Sequence, residues 1–210
     1  MLKDAGVKVV SVIPTVELAK RMEDEGADAI VASGTEAGGH VGTIATMPLI
    51  PMVVDAVNVP VIATGGIGDA RGFLAAFSLG ALGVQIGTRF MATTESDLNA
   101  WGLDQLLTMK ETNTIVSRAM TGSTVRCVTT PELIAYEEAR LSGASKEDLA
   151  ELRKAVVRGR NTDKGDKRQS AMGQVGGMVN DVRSVGEFIE DMITEAAQLA
   201  GTVKGIAQGK

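Results

Sequence analysis

The 210 residues are 44% hydrophobic, 22% charged and only 3% aromatic, so one folded domain must build its core from Ala, Val, Ile, Leu and Met. A formal charge of −5 argues against general binding to nucleic acid, and no apolar run reaches the roughly 18–20 residues of a membrane span. One cysteine, Cys127, excludes an internal disulfide framework, and one histidine, His40, excludes a multi-histidine metal site; together they predict a cytoplasmic protein with no resident metal.

In chain order, Lys8–Ile13 reads as a buried strand and Thr15 as the cap of a helix whose stripe is Val16, Leu18, Ala19 and Met22. Gly26 ends that helix, and 29–32 is the second strand, followed by the glycine-rich loop 33–42. The unit then recurs. Thr46 is the predicted cap of a helix through Leu49, Ile50, Val53 and Val57, followed by strand 60–63 and the loop Thr64-Gly65-Gly66-Ile67-Gly68. Asp69 caps a helix carrying Phe73, Leu74 and Phe77, and strand 83–86 leads into Gly87-Thr88-Arg89-Phe90. Short apolar strands alternating with helices predict a parallel sheet covered by helices, in a closed (β/α)8 barrel or an open doubly wound sheet. Both architectures bind ligands at the carboxyl ends of the strands, where all of these unusual loops fall.

From Trp101 the texture changes. Residues 101–160 read as two or three helices with loops, including 131–141 and 145–158, and 161–168 as a polar loop. The segment 170–179 is small and glycine-rich, and Ser184 caps a closing amphipathic helix through Phe188, Met192, Ala196 and Leu199. The predicted domains are therefore a βα core over 1–100, a helical insertion or lid over 101–180, and a closing helix over 181–210. Charge is uneven as well: residues 153–168 carry seven basic side chains against Asp163 and Asp166, a solvated loop or a docking patch for an acidic partner.

Two successive strands that end in glycine loops, Gly65-Gly66 and Gly87-Thr88, form the strongest chemical signal. Without a Cβ, backbone N–H groups can approach a phosphate, and the following helix N-terminus adds partial positive charge. His40, behind Gly38 and Gly39, lies on the same face, where an imidazole could exchange a proton with substrate or hydrogen-bond it. Glu36 could serve as an acid/base, or as a carboxylate that holds a cation or the loop. Cys127 reads as a small buried hydrophobe, and Arg89 and Arg126 as core-edge salt bridges or anion contacts. The methionines fill the core, except that Met172 and Met178 could lie over a planar ligand.

The stretches at 8–42 (with EAGGH), 60–90 (with GG and GTRF), 121–126 (TGSTVR) and 170–179 follow one another in an order that resembles a single family. That family comprises the FMN-dependent nitronate monooxygenases, formerly 2-nitropropane dioxygenases, and the related FabK-type enoyl-acyl-carrier-protein reductases. The phrase VIPTVELAKRME followed by GTEAGGHVG resembles the reductases more. The resemblance implies an α/β fold of the (β/α)8 TIM-barrel family holding FMN, here as roughly strands 5–8 with a mainly helical insertion and a C-terminal helix. It assigns Gly65, Gly66, Gly87 and Thr88 to the flavin phosphate. Gly38 and Gly39, with Met172, Gly173 and Gln174, would line the flavin pocket, and His40 would be the active-site histidine.

In the reductase branch NADH or NADPH reduces FMN, which passes hydride to an enoyl thioester in fatty acid synthesis, and 153–168 would dock the acyl carrier protein. In the other branch a small nitronate is oxidised with O2. Members of the family begin about four βα units earlier. That count predicts either a fragment or the product of a split gene, or a half-barrel completed by a second copy or another chain; alone, the chain is expected to bind FMN weakly at best and to turn over little. A third expectation is a non-catalytic half-barrel that only binds a phosphate ligand or a partner.

Overall fold

A computed structural model describes residues 3–160 and 171–209. In chain order they form β1 (Val10–Ile13), α1 (Val16–Asp24), β2 (Ala29–Ser33), β3 (Gly39–His40), α2 (Thr46–Val54), β4 (Val61–Thr64), α3 (Ala70–Ser78) and β5 (Gly83–Gln85). After a 3-10 turn at Thr88–Ala92 come α4 (Ala100–Thr108), β6 (Thr114–Ser117), β7 (Val125–Val128), α5 (Pro131–Leu141) and α6 (Lys146–Arg160). A second 3-10 turn at Gln174–Met178 precedes α7 (Val185–Ala207).

Strands β1, β2, β4 and β5 pair in parallel in that order, with Ile13 opposite Ala32, Ala32 opposite Ala63 and Ala63 opposite Val84. This row packs on the helices: Ile13, Ile30, Ala32, Val61 and Ala63 share one core with Leu49, Ile50 and Val53 of α2. The alternate row, Val12, Val31, Ile62 and Gly83, points the other way, and Val12 is 60% exposed. Strand order that never reverses, with its core on one face, is the wall of a (β/α)8 barrel; a doubly wound sheet reverses order and carries helices on both faces. The predicted barrel family is the observed one.

Local chemistry explains the element ends. Thr15 accepts from Leu18 N–H and Asp69 from Arg71 and Gly72 N–H. Ser184 and Glu187 form a reciprocal capping box that starts α7. Gly26, at φ 93°, ends α1 in a conformation an L side chain rarely adopts. Helix α7 lays Phe188, Met192 and Ala196 on Ala70, Phe73 and Leu74 of α3, closing the outer layer.

The region after Trp101 departs from the expectation of helices joined by loops. It contains the hairpin β6–β7, to which β3 adds from the distant loop after β2, giving an antiparallel sheet of order β3-β7-β6. A separate core of Cys127, Leu133, Tyr136 and Val156 joins this sheet to α5 and α6. Buried Glu137 accepts from Ser117 Oγ at 2.6 Å and from Arg140. Thr46 also departs from expectation: Ala45 occupies the cap position with no side chain to offer, and Thr46 is the first helical residue.

Candidate functional site

The carboxyl ends of β2, β4 and β5 open on a cleft of about 270 Å³. Ser33, Thr64 and Gln85 form its floor, and Glu36, Gly38, His40, Gly65, Gly66, Gly87, Thr88, Ala171 and Gly173 its walls. Gly65 and Gly66 are both at positive φ, 93° and 74°, and a Cβ on Gly65 would lie 2.9 Å from Gly34 O. A Cβ on Gly87 would meet nothing within 4 Å, which leaves that side of the cleft open. The backbone N–H groups of Gly65, Gly66, Gly87 and Thr88 find no acceptor among the described residues. Unpaired donors in a concave wall call for an anion or ordered water, so the residues present fit a phosphate group.

His40 reaches this cleft because β3 pairs it with Val125, and its Nε2 lies 3.5 Å from Thr121 Oγ1. The Thr121 hydroxyl is 3.3 Å from Ser123 O and accepts from Ser123 N–H, so the 121–126 segment forms a seat for the imidazole. Arg126, buried on β7, donates from Nε to Thr35 O at 2.8 Å and from Nη1 to Thr114 Oγ1. Burial holds its pKa below the usual arginine value, opposed by the charge of Glu36. The Glu36 carboxylate accepts from Thr46 N–H and Oγ1.

The segment 171–174 interlocks with the loop after β2. Gly173 N–H donates to Thr88 Oγ1 and Gln174 N–H to Glu36 O, each at 2.9 Å. A Cβ on Gly38 would stand 2.8 Å from Ala171 O, and one on Gly173 2.6 Å from Glu36 O. Among the residues expected at the pocket, Gly39 and Gln174 are not on the cleft wall, and the Met172 side chain is fully buried against Leu106 and Met109. The structure thus puts Met172 in a core rather than over a planar ligand, and Met178 beside Arg89 in another cavity.

Arg89 takes the salt-bridge role: 4% exposed, it donates to Asp181 Oδ1 and O and lies 5.0 Å from the Phe188 ring. Cys127 is fully buried, and burial pushes its thiol up to about 11. Ala171 lies on the cleft wall, in the 171–174 stretch expected to line the pocket, whereas Thr121 and Thr46 escaped the sequence reading as site residues; the hydroxyl of Thr121 two residues before Ser123 was the available signal. No group of three His, Cys, Asp or Glu side chains able to hold a metal occurs among the described residues, and no described helix is long and apolar enough to cross a membrane.

The sequence profile of the nitronate monooxygenase family matches residues 1–195. The chain belongs to the nitronate monooxygenase family. A protein described as a probable nitronate monooxygenase from Staphylococcus aureus (strain JH9) is 42% identical over 135 residues, 60% of this chain and 38% of that protein. FabK from Thermotoga maritima superposes with a TM-score of 0.86 at 35% identity, over 98% of this chain and 66% of FabK. A nitroalkane oxidase from Streptomyces ansochromogenes follows at 0.76 and 30% identity, over 96% of this chain and 61% of the oxidase. The chain therefore spans only part of the length of these family relatives. The basic stretch 153–168 is only partly described: Arg153 donates to Ala119 O and Lys154 pairs with Glu151, while the side chains of 157–160 and all of 161–168 lie outside the described residues.

Proposed function

We propose that this chain supplies the phosphate site and the active-site histidine of an FMN-dependent oxidoreductase, acting as a NADH- or NADPH-dependent enoyl-acyl-carrier-protein reductase. The observation that carries the reading is the set of unpaired N–H groups at Gly65, Gly66, Gly87 and Thr88 on the wall that holds His40. The four N–H groups would hold the flavin phosphate, with α3 starting beyond Gly66 to add its dipole. Bound FMN supplies the redox chemistry, a hydride carrier between nicotinamide and an enoyl thioester. Gly38 and Gly173 keep the facing backbones close, so the pocket wall is main chain rather than side chain. His40, exposed and seated against Thr121, is placed to hold a proton at Nε2 or to donate it to a substrate oxygen.

The TM-score with FabK and the motif order support the reductase reading. The family profile and the Staphylococcus aureus relative support the second one, oxidation of alkyl nitronates with O2. NADH oxidation stimulated by an enoyl thioester supports the first, and flavin reduction by a nitronate without a pyridine nucleotide supports the second. A purified chain that remains colourless after incubation with FMN refutes the flavin site itself and leaves a non-catalytic unit.

Docking of an acyl carrier protein at 153–168 is part of the reductase proposal, because such carriers present an acidic face. Neutralising Arg158, Arg160, Lys167 and Arg168 should weaken carrier-protein binding about tenfold or more while FMN affinity stays the same, given roughly 1 kcal/mol or less per exposed pair. Unchanged carrier affinity removes this surface from the proposal. Cytoplasmic location and assembly with a second copy or another chain belong to the same proposal, and solution mass with and without FMN tests the assembly.

A further inference from the structure

We propose that Glu36 is a positioning residue that ties the His40 loop to the Gly65-Gly66 turn through Thr46, and is not an acid or base of the reaction. The inference rests on the reading of Gly65-Gly66 as the phosphate loop.

Helix α2 lacks a cap of its own, since Ala45 has no side-chain acceptor. Glu36, ten residues upstream, fills the vacancy: Thr46 N–H donates to Oε1 at 3.1 Å and to Oε2 at 3.0 Å. The Thr46 hydroxyl lies 2.8 Å from Glu36 Oε2 and 2.9 Å from Gly65 O, within donating distance of both. One carboxylate and one hydroxyl therefore join the loop after β2, the start of α2 and the loop after β4.

The stem of Glu36 completes the brace. A Cβ on Gly66 would stand 3.7 Å from Glu36 Cβ, Cγ and Cδ, so the methylenes pack under the turn. The main chain of the same residue accepts from Gln174 N–H, anchoring the segment that closes over the cleft. Both carboxylate oxygens face the positive end of α2, and Arg126, with no carboxylate partner within 4.0 Å among the described residues, feels the same charge. The negative charge is compensated within the protein rather than offered to a substrate, although it lies beside a cleft suited to an anion.

Two consequences separate a brace from a catalytic carboxylate. Gln in place of Glu36 keeps an acceptor oxygen for Thr46 and removes the charge, so it should preserve the geometry. Ala removes both, and Thr46→Val cuts the link to Gly65 while keeping the N–H.

His40 is the single histidine, so its imidazole resonances are unambiguous in the NMR spectrum of the full chain without flavin. Glu36→Ala and Thr46→Val should each shift the His40 imidazole and the Gly65 and Gly66 amide signals, and Glu36→Gln should leave them in place. With FMN added as probe, the dissociation constant should rise about tenfold or more in Glu36→Ala and Thr46→Val and stay within about threefold in Glu36→Gln. Unmoved His40 and Gly65-Gly66 signals in both Glu36→Ala and Thr46→Val overturn the proposal. So does a Glu36→Gln protein that binds FMN normally yet loses turnover as fully as Glu36→Ala. Shifted signals in a chain whose Gly65 and Gly66 amides ignore FMN would refute the phosphate reading while leaving the coupling demonstrated.

Discussion

Gly173→Ala is the sharpest single test of the interlocked cleft. Gly173 has φ −83°, so alanine meets no backbone strain, and any loss must come from contact. The new Cβ would stand 2.6 Å from Glu36 O, 3.0 Å from Gly38 N and 3.2 Å from Ala37 C, all backbone atoms that cannot swing aside. Restoring ordinary contact at Glu36 O needs a retreat of about 0.8 Å, which would stretch two hydrogen bonds now at 2.9 Å beyond useful length. Those two bonds are worth roughly 0.5–1.5 kcal/mol each, and overpacking adds about 1–3 kcal/mol. Loss of glycine's unfolded-state freedom offsets roughly 0.4–1 kcal/mol, leaving a net loss of about 1–5.5 kcal/mol. For a chain of this size that is a fall in melting temperature of about 2–22 °C, read by calorimetry or circular dichroism. A melting temperature within about 1 °C of the parent would refute the steric reasoning. Gly38→Ala strains the same contact from the other side, so the double substitution should cost less than the sum of the two.

Gly87→Ala is the contrasting case: with open space around its Cβ, it should change stability by less than about 0.5 kcal/mol while weakening FMN uptake, and equal loss in both would contradict the open wall. Leu49→Ala, at a fully buried position between α2 and the sheet, should cost about 3 kcal/mol in denaturant unfolding; a loss under about 1 kcal/mol would mean the site collapses freely. Asp181→Ala leaves buried Arg89, among the described residues, with only the backbone carbonyl of residue 181 as a hydrogen-bond acceptor and should cost about 3 kcal/mol, whereas an unchanged midpoint would mean that water replaces the carboxylate. The Cys127 thiol is raised from 9.0 to about 11 by burial, so it stays protonated in the folded chain where the unfolded chain ionises. That contribution is complete below pH about 9 and is lost as pH rises towards about 11, a difference of roughly 2–3 kcal/mol that Cys127→Ala should abolish. Parallel pH profiles for the two proteins would place the thiol in contact with solvent.

The parallel wall was legible because its signals are local. Val, Ile and Ala at strand positions, Thr15, Asp69 and Ser184 as caps, and Gly26 and Gly80 at positive φ each act within a few residues of themselves. The helix over Pro131–Leu141 was visible for the same reason, with Thr130 accepting from Leu133 N–H. Hairpin β6–β7 was not, although Ile115-Val116 and Val125-Arg126-Cys127-Val128 are β-branched runs around Gly122; two four-residue strands carry too little periodicity to stand out among helices. The cap of α2 was misplaced at Thr46 because its true acceptor, Glu36, lies ten residues upstream, and spacing rules see only the next three or four.

The cleft itself divides along the same line. The Gly65-Gly66 and Gly87-Thr88 loops were readable because backbone N–H exposure at a strand's end needs only glycine and a following helix or 3-10 turn. Met172 was misread because composition cannot tell a flexible side chain over a ligand from one buried on Leu106. His40 lines the cleft, as its place after Gly38 and Gly39 at a strand's end predicts, but what aims it was hidden. Two residues of β3 pair with Arg126 and Val125, about 85 residues away, and Thr121 takes up the ring. The region from Trp101 is therefore more than a cover over the barrel. Its β7 strand is the surface on which the loop after β2 is registered, and a one-residue slip of that pairing would turn the imidazole away from the cleft. A short ladder of this kind resists slippage only if something else fixes it. Arg126 does so by reaching from β7 across to Thr35 O, which ties register, buried charge and the histidine loop to one guanidinium.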